Sequence, residues 1–275
     1  GASIKNFDSE GVVEVISESK YEEKMYLAKP IFDADVVINL PKLKTHSANI
    51  YTGAIKNVFG CIPGLRKAKY HKMAPNPEDF GEIIADIHQK EKFQLHIMDG
   101  IWAMQGEGPT AGEVYSGNKI LMSTDPLALD TVAVKMLGIE IEDVPILAAA
   151  RRRGIGESQL ENITIDGDYK NIPRLGNFKL PKRYKSSKRR NDKALTMVID
   201  FFKTKPKINR KKCRNCNLCV ESCPVEAINR DTKEINYNIC IECMCCHELC
   251  IPKAVELKRE NFLAGLFAGL LAGRK

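Results

Sequence analysis

Tryptophan occurs once, at position 102, and histidine only five times in 275 residues. No H-E-x-x-H, G-x-x-x-x-G-K-[ST] or G-x-S-x-G string is present, and no G-x-G-x-x-G follows a strand-like run. Zincin, P-loop, nucleophile-elbow and dinucleotide chemistries therefore have no support. Gly106-x-Gly108 and Gly154-x-Gly156 lack a third glycine in register. No apolar run approaches the roughly 20 residues that cross a bilayer, and no secretory leader pattern is visible. The expectation is a protein without a membrane span in a reducing, anaerobic cytoplasm, where unpaired thiols survive.

Cysteine is what the chain does have. Cys213, Cys216, Cys219 and Cys223 follow a C-x2-C-x2-C-x3-C spacing, and Cys240, Cys243, Cys246 and Cys250 repeat it at an offset of 27 residues. A cubane 4Fe-4S cluster needs four converging thiolates, and a short loop of three cysteines supplies three corners only. With this spacing the fourth cysteine serves the other cluster. Two 4Fe-4S clusters are thus expected, one on Cys213, Cys216, Cys219 and Cys250, the other on Cys240, Cys243, Cys246 and Cys223. A zinc ribbon has no use for the third and fourth cysteines of each run, and a disulfide framework belongs to small secreted domains. Cys245 is a ninth thiol whose offset fits neither ligand set. The stretch from Lys211 to Leu257 resembles the two-cluster bacterial ferredoxins, with Ile251 standing between Cys250 and Pro252 where they place proline at once.

The net charge of +7 is unevenly spread: −4 over residues 1–181, +11 over 182–212, −3 over 213–257 and +3 over 258–275. These boundaries suggest an α/β domain (1–181), a basic linker (182–212), a ferredoxin domain (213–257) and an apolar tail (258–275). The basic run lacks aromatic interleaving and zinc-finger spacing, so nucleic acid is not the expected partner. Leu195, Val198, Ile199 and Phe202 give the linker an amphipathic helix over Asn191–Lys203. The tail from Phe262 to Gly273 is about half a membrane span. It reads as a helix docked on protein, with an interfacial anchor as the alternative.

In the first 180 residues strand-like and helix-like runs alternate. Val12–Ile16, Asp35–Leu40, Leu95–Met98, Lys119–Met122 and Asn162–Ile165 read as strands. Phe80, Ile83, Ile84 and Ile87 recur at helical spacing after Pro77. Asp125-Pro126 opens a helix over Leu127–Leu137 that Gly138 closes, and Val144–Arg153 forms another before Gly154. The fold class expected is α/β, a mostly parallel sheet with flanking helices, plus a small α+β ferredoxin-type domain.

The run Asp35–Leu40 leads into Pro41-Lys42-Leu43-Lys44-Thr45-His46 and then a helix expected over Ala48–Phe59, carrying Lys56 and Asn57. Ligands of α/β sheets bind at the carboxyl ends of strands, where helix N–H groups favour anions. Lys42, Lys44, His46, Lys56 and Asn57 are therefore candidates to bind a phosphate or carboxylate, against the alternative of a basic exposed loop. The loop Gln105–Pro109 could close over a ligand; Glu107 reads as an exposed turn glutamate, with an acid or base as the alternative. Asp125 reads as a helix cap; Asp130 could point at the same pocket but reads rather as solvated or structural, Cys61 reads as a small buried residue with an activated thiol as the alternative, and His88 and His96 read as structural. His46 with His71 is a weak metal pair, and Trp102 is core or platform. The strings DADVVINLPKLKTH, TGAIKNVFG, MDGIWAMQGEGPTAG and STDPLALDTVAV resemble the family of the domain of unknown function numbered 362, often joined to a ferredoxin. That resemblance implies a shared site around Lys42, Lys44, His46, Lys56 and Asn57. It also implies an upstream α/β segment with a Lys-Pro-Asn string, which this sequence does not contain. The functional expectation is single-electron transfer between a ferredoxin module and a substrate or cofactor at the α/β domain, as an oxidoreductase or reductive activase. Its alternatives are an electron carrier whose α/β domain docks a redox partner protein, and a ligand-binding protein with structural or sensory clusters.

Overall fold

The computed structural model describes residues 1–17, 19–64, 66–90, 93–110, 112–169, 171–182, 184 and 204–259. It divides into two units, Gly1–Tyr184 and Lys185–Lys275. The helix expected over Asn191–Lys203 and the apolar stretch Phe262–Gly273 lie outside the described residues.

The first unit begins with an antiparallel pair, β1 (Val12–Ile16) and β2 (Lys24–Ala28), followed by a short helix, α1 (Lys29–Asp33). Its main sheet is built around β6 (Phe93–Gln105). Along one edge of β6 runs β7 (Glu113–Ser123), antiparallel from His96↔Ser123 to Gln105↔Glu113. Along the other edge β3 (Val37–Asn39) and β4 (Lys42–His46) follow end to end, both parallel to it. Pro41 separates them because it has no N–H to give to the ladder, yet its carbonyl still accepts from Asp99 N at 2.9 Å. β5 (Ile50–Thr52) adds antiparallel to β4. Three of the five strands, β3, β4 and β6, run parallel, which with the helices makes this an α/β domain with a mostly parallel sheet.

Helices α2 (Ala54–Asn57), α4 (Pro77–His88), α5 (Pro126–Leu137) and α6 (Pro145–Arg152) pack with the buried residues of the sheet, and α3 (Arg66–Met73) joins α4. The start of α4 is fixed by Asn76, whose side chain accepts from Asp79 N at 2.8 Å, and by Pro77 in the first turn. Its Phe80, Ile83, Ile84 and Ile87 are all buried, as the spacing predicts. α4 and α6 approach closely at Gly81, where a Cβ would lie 2.8 Å from the Pro145 carbonyl oxygen. Asp125 caps α5 by accepting from Leu127 N and Ala128 N, each at 2.9 Å, and Gly138 closes the helix with φ of 71°. On the side of the sheet away from Met98 and Leu43, Ile38, Leu40, Ile120 and Met122 stay exposed. No helix among the described residues is long and apolar enough to cross a membrane.

Two expectations differ from the structure. Ala48–Phe59 is not one helix: it is a turn, β5, a single helical turn in α2 and a 3-10 turn over Val58–Cys61. The helix can start only where the buried Asp130 carboxylate takes the N–H groups of Ala54 and Ile55, and Ile50, with φ of 68°, breaks any earlier turn. Asn162–Ile165 forms no ladder. Glu157 Oε1 instead accepts from Ser158 N and Gln159 N, and its Oε2 from Asn162 Nδ2, so the chain turns through a 3-10 segment, Leu160–Asn162.

The second unit pairs β8 (Thr204–Ile208) with β9 (Val255–Arg259) antiparallel, from Thr204↔Arg259 to Ile208↔Val255. Between them lie two short helices, α7 (Leu218–Glu221) and α8 (Cys245–Glu248), and a bridge joining Ile228 and Ile235. Ile208, Ile228, Cys246 and Val255 form its small core. An antiparallel pair enclosing two cysteine loops fits a ferredoxin-type domain.

Candidate metal centres

Each cysteine run curls because left-handed residues alternate with its thiols: Asn215 and Asn217 in the first, Glu242 and Met244 in the second. The same offset of 27 relates these pairs, and it also relates Glu226 to Lys253, both with positive φ. Such backbone turns every few residues aim three cysteines of a run at one point. The fourth cysteine of each run then leaves along a short helix towards the other loop.

The result is two cavities. One is lined by Cys213, Cys216, Cys219 and Cys250, the other by Cys240, Cys243, Cys246 and Cys223. Three thiols come from one run and one from its repeat in both cases. Each exchanged cysteine also accepts one backbone N–H, Ala227 N at 3.2 Å on Cys223 Sγ and Ala254 N at 3.1 Å on Cys250 Sγ. Burial, reinforced by the surrounding thiols, pushes the Cys246 thiol well up, and Cys219 and Cys240 rise mainly through burial. Such groups carry charge only when a cation displaces their protons, so metal loading here releases protons. Among the described residues no three His, Cys, Asp or Glu side chains gather tightly enough for a single ion. Four thiols lining one cavity, three from a C-x2-C-x2-C run, suit a 4Fe-4S cluster. Cys245 is buried, lines neither cavity, and its thiol hydrogen-bonds the Cys243 sulfur. Its counterpart 27 residues earlier is Leu218, an apolar lining residue of the first cavity.

The strand-end candidates of the α/β domain are placed as follows. Lys42 and Lys44 flank the buried Leu43 on β4, and Lys42 is ion-paired with Asp99 of β6. His46 is buried, and its Nδ1 accepts from Ala48 N and Asn49 N, both at 3.1 Å, so the ring caps the turn before β5. Asn57 donates to Asn39 Oδ1 at 2.6 Å, and Asn39 in turn meets His96 Nδ1 and the Ala54 carbonyl, each at 3.1 Å. Lys56 Nζ lies 5.8 Å from the Phe59 ring centre and 5.9 Å from that of Phe80. The structure thus brings Lys42 and Lys44 together on β4, while Asn57 joins a buried polar chain and Lys56 an aromatic pair. His71 stacks on Phe80 at 4.5 Å, with no approach to His46 among its described ring contacts. The Gln105–Pro109 loop is tied down: Gly106 N donates to Lys179 O, Gly108 O accepts from Ser47 N, and Glu107 Oε1 accepts from Lys182 N.

The partners of Asp130 and the placing of Arg214 and Lys233 lie outside the sequence expectations. Asp130 is fully buried, accepting from Tyr51 Oη at 2.9 Å and Ala54 N at 2.8 Å on Oδ1 and from Ile55 N at 2.9 Å on Oδ2. Nothing within the helix pattern signals partners so far away in sequence. Arg214 and Lys233 line the first cavity. Sliding the repeat by 27 residues would have picked them out, since they align with Ile241 and Pro206.

Comparison with known proteins agrees with this architecture. The family model for the domain of unknown function DUF362 matches residues 1–135, and that for a 4Fe-4S binding domain matches residues 206–229. A thylakoid-associated protein of Synechocystis sp. is 37% identical over 157 residues, covering 57% of this chain and 49% of that protein, so the chain spans about half its length. The pyruvate synthase subunit PorD of Methanothermobacter marburgensis is 38% identical over 57 residues, 21% of this chain and 69% of that subunit. No solved structure matches. The thiol loops and the sheet built on β6 thus belong to separate families, and the chain is an N-terminal DUF362 domain fused to a C-terminal ferredoxin-like 4Fe-4S domain.

Proposed function

We propose that the C-terminal domain holds two 4Fe-4S clusters with exchanged fourth ligands, and that the chain moves single electrons to or from a redox partner protein. The observation that carries this is the make-up of the two cavities, each with three thiols of one run and the fourth of the other. A cubane supplies one-electron transfer at a potential set by net charge, hydrogen bonds to sulfur and solvent access. The chain's own part is to converge the thiolates, to donate the Ala227 and Ala254 N–H groups to sulfur, and to shield the sites with Ile208, Ile228 and Val255. The likeness to a subunit of a multi-subunit oxidoreductase supports a protein partner. Thiolate ligands suit a reducing compartment, the cytoplasm in this reading.

For the α/β domain the geometry favours docking over catalysis. His46 and Asn57 are used in local hydrogen bonds and Lys42 in an ion pair, which leaves Lys44 and Lys56 as poor material for a shared anion site. Anaerobically prepared protein should contain about eight iron and eight labile sulfide per chain. Cys223→Ser should perturb the EPR signal of the cluster on Cys240, Cys243 and Cys246 and spare the other. Stoichiometric zinc without sulfide refutes the clusters, and loss of the opposite signal refutes the exchange.

A further inference from the structure

The two cavities are related residue by residue. Moving the lining of the Cys240 site back by 27 positions turns Cys240, Cys243, Cys246 and Ile235 into Cys213, Cys216, Cys219 and Ile208. Moving Cys223, Ala227 and Ile228 forward by the same step gives Cys250, Ala254 and Val255. The sulfur hydrogen bonds from Ala227 N and Ala254 N match as well. Against this background two pairs break the symmetry in charge. Arg214 of the first site faces the place that Ile241 takes in the second, and Lys233 of the first stands where Pro206 stands in the second. Lys233 is only 5% exposed and donates from Nζ to the Arg230 carbonyl, so its charge is held near the site and not waving in solvent. The second run carries Glu242 between Cys240 and Cys243 where the first has the neutral Asn215, while Glu248 is matched by Glu221. Exposure differs in the same sense: Cys216 is exposed, whereas its counterpart Cys243 is half-buried and Cys246 is buried.

We infer that the two sites are electrostatically inequivalent, and that Lys233 and Arg214 make the centre on Cys213, Cys216, Cys219 and Cys250 the one of higher reduction potential. The inference rests on the two-cluster reading above. Taking up an electron makes a thiolate-ligated cluster one unit more negative; nearby cations and water favour that state, and carboxylates and burial oppose it. An electron arriving at either site therefore settles on the lysine-bearing one. Lys233 and Arg214 act by field alone and need no contact with a partner.

The test is an EPR-monitored potentiometric titration of the anaerobic full chain. Iron and sulfide analysis is run on each sample. The wild type should show two midpoints. Arg214→Ile, which copies the residue of the sister repeat, and Lys233→Met should each lower the upper midpoint and leave the lower one in place. A tenfold change in the ratio of reduced to oxidised cluster, about 59 mV for one electron, is the size expected for the buried lysine. Ile241→Arg should raise the lower midpoint and narrow the gap from the other side. Should Lys233→Met fail to retain eight irons, the variants at the exposed Arg214 and the half-buried Ile241 decide. Eight irons with coincident midpoints, or with midpoints that none of the intact variants moves, overturns the inference while leaving the two-cluster reading standing. Four irons in the wild type overturns that reading itself.

Discussion

Asp130 shows how much one side chain can organise. Burial raises its pKa from 3.8 to about 6, against the opposing pull of the Ile55 and Ala54 N–H groups and the Tyr51 hydroxyl. Because the folded-state value exceeds the unfolded one, the folded chain holds the proton more tightly. The stabilisation from that proton is complete below about pH 4 and is lost as pH rises through 6. Asp130→Asn has no such titration, and it turns an amide N–H2 towards a backbone donor. It should cost about 1–3 kcal/mol, and its deficit relative to wild type should be smaller at pH 7.5 than at pH 5. Trp102, the single tryptophan, lies on β6 and reports unfolding of this domain by fluorescence; a deficit equal at both pH values would show that Asp130 does not titrate there. The lysine and histidine of β4 separate in the same assay. Lys42→Ala breaks a solvent-exposed ion pair with Asp99 and should cost less than about 1 kcal/mol. His46→Ala strips two N–H groups of their acceptor and should cost about 1–3 kcal/mol. Loss of binding to a phosphate or carboxylate probe with Lys42→Ala would return Lys42 to an anion-binding role.

Among the elements, the contact of α4 with α6 depends on a glycine. Gly81→Ala places a methyl group against the Pro145 carbonyl and should force the helices apart, at a cost of about 1–3 kcal/mol in chemical denaturation. Gly60→Ala, where an added methyl group would meet no atom within 4 Å, should leave stability within about 0.5 kcal/mol and serves as the control. Elements whose cause is local were legible in the sequence: α4 from Pro77 and its apolar spacing, α5 from Asp125 and Gly138, β1 from its β-branched run. Those set by distant partners were not. The run from Ala48 has helical composition, but His46 and Asp130 decide where it turns, extends and finally coils. Lys42–His46 reads as a polar loop, yet β6 offers it a free edge and it becomes a strand.

At the scale of the whole molecule, the order of domains could be read from the cysteine offset and the four family strings, and the family matches agree. The two cysteine runs were equally legible, because their spacing is a covalent property of the chain. The repeat offset aligns Arg214 with Ile241 and Lys233 with Pro206, but that Lys233, 14 residues beyond Cys219, lines the first cavity is seen only in the fold. In the two-cluster reading, the placing of Cys223 and Cys250 in each other's cavities bears on how the domain is made and lost. Each loop completes its own site only by borrowing from its twin, so neither half is a separable inheritance and a half-assembled domain leaves both cavities short of a ligand. In that reading, damage at one centre releases a thiol that the other run contributed, so one cavity can empty while its twin stays filled, and its refilling waits until both runs are folded.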